Sequence, residues 1–170
     1  MPPTGGKGEN DKMIYAVIDT NVLVAAAKSQ RPDSSASRIV SLVFSGIIQP
    51  LVCDEILEKY DCILRLPILA IPDELSTAIL SKFKEDGIDP GRTPSPEEHP
   101  DPTDQVFYEI CLSVEDAYMV TNNKKHFPLK PRVVTPTEMI SLLLKAGIIS
   151  KRPAAILCQF TFHRPVTIAL

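Results

Sequence analysis

Short apolar runs alternate with amphipathic stretches along this chain. MIYAVI (13–18) reads as a buried strand that ends on Asp19, Thr20 and Asn21, after which the apolar VLV (22–24) resumes. SASRIVSLVFSG (35–46) sets Ile39, Leu42 and Val43 at helical spacing and closes on Gly46. IIQPLV (47–52) is again extended, and DEILEKYDCIL (54–64) puts Ile56, Leu57, Tyr60, Ile63 and Leu64 on one helical face. PDELSTAILSKFKEDG (72–87) has an acidic first turn, a basic later part and a closing glycine, as a helix dipole favours. Residues 87–104 are rich in proline and read as a long loop. Beyond it, DQVFYEICLSV (104–114) predicts a helix, AYMVT (117–121) and RVVT (132–135) predict strands, and PTEMISLLLKAG (136–147) predicts a helix opened by Pro136 and stopped by Gly147.

Strands separated by helices require crossover connections, which make the strands parallel and cover the sheet on both faces. The expected fold is therefore α/β, a three-layer α/β/α sandwich around a mainly parallel sheet. The expected organisation is a flexible segment over 1–12, one domain over 13–147, and a tail over 148–170 whose apolar runs and prolines fit no clean period.

Composition narrows the picture. The 170 residues are 44% hydrophobic and 23% charged, which suits one globular domain rather than a disordered chain. A formal charge of -3 supplies no global basic field, so a nucleic-acid partner has to be held by local lysines and arginines or through a metal. Cys53, Cys62, Cys111 and Cys158 are scattered, without the close pairs of a zinc or redox motif, and read as reduced core residues. The polar, Gly-containing opening is unlike a secretory signal and no apolar run is long enough for a membrane span, so the expected location is cytoplasmic.

Ligands of an open parallel sheet collect beyond the carboxyl ends of its strands. Asp19 lies at such an end, and Thr121, Asn122 and Asn123 stand at the end of the 117–121 strand. If those two strands are neighbours, they share a rim that Asp104, at a helix start, can reach. Converging oxygen donors suit a hard divalent cation such as Mg2+ or Mn2+. Each residue also has a purely structural reading. Asp19 and Asp104 sit where helix caps sit, Asp101 between prolines is an ordinary turn acid, Asn122 and Asn123 are turn residues, and His126 reads as a surface or packing histidine.

The segments together are more specific than any residue alone. AVIDTNVLV (16–24), DEILEKY (54–60), PDPTDQVFYEI (100–110) and AYMVTNNKKHFP (117–128), followed by VVTPTEMI (133–140), make the chain resemble the PIN-domain nucleases, and within them the VapC-related toxins of toxin–antitoxin pairs. The resemblance runs over about residues 13–145. It implies a metal-dependent ribonuclease whose family acids fall on Asp19 and Asp104. At two further positions this chain departs from the pattern. Lys59 stands where relatives carry a glutamate before the tyrosine, leaving Glu58 and Glu55 as neighbouring substitutes, and Asn123 stands where many carry an aspartate. One residue along a helix turns a side chain by about 100°, which points Glu58 toward solvent. Asp116 is a further acid near the strand, but at its opposite end.

The leading expectation is thus an endoribonuclease using Asp19, Asp104 and Glu58, with Asn123 as a further metal ligand and Asn21, Thr121, Glu55 and Asp116 in support. Arg31, Lys124 and Lys125 are expected to touch RNA phosphates, with solvated surface charge as the alternative. An antitoxin segment or a second copy in a homodimer is expected to cover any exposed part of the Ile39, Leu42, Val43 and Phe44 face. The rival expectation is a degenerate domain that binds RNA or protein without hydrolysis. A nucleotide-binding fold is disfavoured because no Gly-rich phosphate loop follows the first strand.

Overall fold

The computed structural model describes residues 12–151, so the expectations for 1–11 and 152–170 lie outside the described residues. Four strands, β1 (Ile14–Ile18), β2 (Ile48–Pro50), β3 (Tyr118–Val120) and β4 (Val133–Val134), form one parallel sheet in the order β2-β1-β3-β4. This is the α/β architecture expected, and Ala16, Val17, Ile18, Met119 and Val120 are fully buried, as strands covered on both faces require.

The chain leaves β1 for β2 on one side and then returns to β3 on the other, so the connections diverge between β1 and β3. That divergence opens a crevice at the carboxyl ends of these two strands. Their register, Ala16 against Tyr118 and Ile18 against Val120, brings Asp19 level with Thr121.

Six α-helices surround the sheet: α1 (Thr20–Lys28), α2 (Ser35–Phe44), α3 (Asp54–Leu64), α4 (Asp73–Asp86), α5 (Gln105–Leu112) and α6 (Pro136–Lys145). Helices α1 and α6 pack against α2, α4 and α5 pack against α3, and α1 also packs against α3. Ser34 caps α2 through the Ser37 amide, and Thr135 and Glu138 form a complete capping box on α6. Gly46 and Gly147 follow α2 and α6 with φ of 79° and 70°, the left-handed conformation that glycine adopts without strain. The Pro-rich loop contains one turn of 3-10 helix, Pro102–Asp104, too short to show as a periodic pattern.

Three expectations about side chains need correction. Ile39 and Val43 are fully buried and Leu42 nearly so, because α2 turns this face onto α1, α6 and β2; only Phe44 remains half-buried, so it offers no exposed docking face. Ile63 is 37% exposed although its helix-mates Ile56, Tyr60 and Leu64 are buried. Cys62 is exposed and Cys53 half-buried, which leaves Cys111 as the core cysteine among the described residues.

Two buried polar contacts fix the walls around the crevice. The Tyr60 hydroxyl of α3 donates to the carbonyl of Ile18, the residue before Asp19. Burial pushes this phenol well above its ordinary range, so it remains a donor.

On the other side, Glu109 of α5, with a side chain 6% exposed, ties down the Pro-rich loop. It accepts from the Ser95 amide (2.9 Å), from Gln105 Nε2 (2.6 Å) and from the Arg92 guanidinium. Burial alone would raise the Glu109 carboxyl, but these donors together hold it below the usual range. An acid lowered in the fold contributes stability above its unfolded pKa and loses it as pH falls through the folded value. Glu109→Gln is therefore expected to cost about 1–2 kcal/mol at neutral pH and less in acid. Thermal melts at several pH values check this, and faster amide exchange over 93–95 locates the effect in the loop.

Candidate functional site

Beyond the carboxyl ends of β1 and β3 lies a groove of about 730 Å³. One end is built by Asp19, Asn21 and Asn123, the adjoining wall by Asp101, Asp104 and His126, and the wall opposite by Glu55, Glu58 and Lys59 of α3.

Asp19 occupies the N-cap position of α1 yet makes no capping hydrogen bond. Its carboxylate is held from the side instead. Thr121 Oγ1 donates to Asp19 Oδ2 at 2.7 Å, and Asn21 Nδ2 donates to the same oxygen at 3.0 Å. The anchors are themselves tied, since the Asn123 amide donates to Thr121 Oγ1 (2.9 Å) and the Asn122 amide to Asn21 Oδ1 (3.2 Å). Asp104 likewise occupies the N-cap position of α5 without capping it. A carboxylate placed at a helix start and not used as a cap is available for another partner.

The electrostatics agree. Asp19 is 5% exposed, and burial raises its carboxyl above the ordinary carboxylate range. The Thr121 hydroxyl opposes this, the negative charge of Asp104 raises it further, and His126 lowers it slightly. Two acids 85 positions apart in sequence thus repel each other inside one groove, a charge arrangement that a divalent cation relieves.

Asp101, Asp104 and His126 each present one donor atom, and these atoms lie within 4.8 Å of one another. Asp101 and Asp104 stand three residues apart across the 3-10 turn, where side chains at i and i+3 eclipse. Asp101 also acts as the turn acid it resembles, since its Oδ1 accepts from the amide and hydroxyl of Thr103 at 2.9 and 2.7 Å. The Thr103 bonds hold its carboxyl below the usual range, with smaller help from the positive sides of His126 and Lys59. Neither Asp101 nor His126 stands out in the sequence. A proline-flanked acid and a histidine 25 residues downstream become neighbours only when α5 packs back on β3.

The remaining predicted residues divide. Asn123 lines the groove and Glu58 borders it, exposed on the side of α3 where a second depression begins. Glu55 receives Arg92 at 3.1 Å. Asp116 does not reach the groove. It precedes β3, at the far end of the sheet, with its backbone at φ 61° and its carboxylate on Lys12 at 3.1 Å. Arg31 lies beyond the last turn of α1, roughly 13 Å along the helix from Asp19, and pairs with Asp33. Lys124 turns away to Glu138, meeting both oxygens at 3.1 Å, while Lys125 is exposed on the same short turn.

Searches of curated proteins and of solved structures return no match to this chain. The family model described as PIN domain matches residues 15–125, which run from β1 past the end of β3 and include the groove-lining residues named above except His126. With well over half of the chain matched, and with a parallel sheet that gathers distant acids at the crevice between its two central strands, the chain belongs to the PIN domain family.

Proposed function

We propose that this protein is a metal-dependent endoribonuclease, acting in the cytoplasm as the toxin of a toxin–antitoxin pair. The observation that carries the reading is the convergence of Asp19 and Asp104 on one groove, close enough for the charge of one to raise the pKa of the other. Family membership supports nuclease chemistry in general. RNA as the substrate, Mg2+ or Mn2+ as the ion, and an antitoxin as the partner are the finer parts of the proposal.

In this reading Asp19 and Asp104 hold the cation, with the Asn123 amide oxygen as a weaker donor and Glu58 reaching in from the groove's edge. Thr121 and Asn21 fix the Asp19 carboxylate so that its remaining accepting capacity rests mostly on Oδ1. A bound divalent ion supplies an activated water and offsets the charge that grows on a cleaved phosphodiester. Lys59 and Lys125 are the cations left to meet the phosphate backbone, because Arg31 and Lys124 are engaged by Asp33 and Glu138. Glu55, held by Arg92, braces α3 against the Pro-rich loop. The expected result is cleavage of RNA by the purified protein when Mn2+ or Mg2+ is added and loss of cleavage with a chelator; RNA left intact at every metal concentration refutes it.

A second reading, a PIN domain that binds RNA or protein without cutting, is favoured by one observation. Lys59 lines the groove on the wall facing the acids, and a positive charge there opposes a cation. Calorimetry with Mn2+ separates the two: the enzyme saturates at or below millimolar metal, the binding module does not.

A further inference from the structure

We infer that the cation of this protein is bound by Asp101, Asp104 and His126 beside Asp19, and that the imidazole makes the site selective for first-row transition ions over Mg2+. The inference rests on the metal-dependent reading above and assigns its ligands.

Three observations carry it. The first is a matter of charge. With a lysine at 59 and an amide at 123, the acids left on this groove are Asp19, Asp101 and Asp104, plus Glu55 and Glu58 across from them. Glu55 is committed to Arg92, and Glu58 is exposed at the edge. The negative charge on the wall opposite α3 is therefore concentrated on the 101–104 turn, and His126 stands against it.

The second is geometric. His126 Nδ1 lies 3.3 Å from Asp104 Oδ2. That separation is long for a nitrogen–oxygen hydrogen bond to a carboxylate, which shortens to about 2.7–2.9 Å when charge-assisted. It is close to the spacing of two donors on one ion, since ligands about 2.1 Å from a shared centre at right angles stand about 3 Å apart. Asp101 completes the face. Thr103 occupies its Oδ1 only, leaving Oδ2 for a ligand, and the three donor atoms fall within 4.8 Å of one another.

The third concerns accessibility and rigidity. His126 and Asp104 are partly exposed to the groove, with side chains 34% and 21% accessible, so an ion enters without unfolding the wall. Asp101 and Asp104 are fixed by the 3-10 turn, and His126 by a second 3-10 turn, Lys124–His126, whose His126 amide bonds back to the Asn123 carbonyl at 3.0 Å. Imidazole is a poor ligand for Mg2+ and a good one for later first-row ions, so the ligand set predicts the order of affinities.

The test reads metal binding directly, with no RNA present. Calorimetry of the full chain with Co2+ and Mg2+ is expected to give Co2+ at least about tenfold tighter. His126→Gln is expected to remove that preference, weakening Co2+ about tenfold or more while leaving Mg2+ within about twofold. Asp101→Asn, which removes charge but no nitrogen, is expected to weaken both ions. Pulsed EPR of the Mn2+-loaded protein is expected to show nitrogen-14 coupling from a bound imidazole, absent in His126→Gln. Circular dichroism confirms that each variant is folded. A wild-type spectrum without nitrogen coupling, or a Co2+ to Mg2+ ratio unchanged in His126→Gln, overturns the inference even if RNA is cut. Nitrogen coupling in a protein that leaves RNA intact upholds the inference and refutes the nuclease reading. Failure of the full chain to bind any of these ions overturns both.

Discussion

Asp19→Asn is expected to abolish RNA cleavage while leaving the protein as stable as before or more so. The loss of rate should reach at least about 100-fold, the scale of removing roughly 3 kcal/mol of charge stabilisation. The stability side follows from burial. Asp19 has a raised carboxyl pKa, so its ionised form is the costly one in the fold. An acid raised by folding binds its proton more tightly folded than unfolded, and stability falls as pH climbs from the unfolded toward the folded pKa. Above the folded pKa that cost is fully present, and the neutral amide removes it. An asparagine oxygen in place of Oδ2 still accepts from Thr121 and Asn21, so the local network survives. Added Mn2+ should raise the melting temperature of the wild type and leave the variant unchanged, because a ligand stabilises only a fold that binds it. A variant that keeps cutting, or whose melting temperature still climbs with metal, would exclude Asp19 from the cation's shell.

Lys59→Glu is expected to tighten metal binding more than any other single change in the groove. Lys59 lies on α3 across from the acids, and its charge is felt by Asp101. One unit of charge about 8 Å from a divalent ion, at an effective dielectric of about 40, changes the ion's energy by about 2 kcal/mol. Reversing the sign doubles that before screening by salt, so at least a tenfold gain in Mn2+ affinity is expected at low ionic strength, with a smaller gain for Lys59→Ala. Cleavage at limiting metal should rise in step if the lysine acts only against the cation. If it also holds a phosphate, Lys59→Glu binds metal more tightly but RNA more weakly, and the two titrations diverge. An Mn2+ affinity unchanged in both variants would place Lys59 outside the field of the site.

Much of this architecture is legible in the order of residues. β1 is visible because a strand buried on both faces reads as an unbroken apolar run, and α3 and α6 because their apolar spacing, Pro136 and Gly147 agree with one another. Asp19 and Asp104 are legible for the same reason: strand ends and helix starts are local features, and a parallel sheet collects its ligands there. What the chain order does not contain is which distant segments become neighbours. Only tertiary packing places Thr121 on Asp19, through the pairing of β1 with β3, and His126 on Asp104, through α5 lying on β3, across separations of 102 and 22 residues. Only the folded structure shows that Asp33 and Glu138 engage Arg31 and Lys124 and that Arg92 engages Glu55 on the groove wall, while Asp116 stays at the far end of the sheet on Lys12. Residue types determined by themselves that this chain folds as an α/β domain with acids at a strand end; the three-dimensional packing decided which of those acids share a groove, since electrostatic energy depends on separation in space and not along the chain.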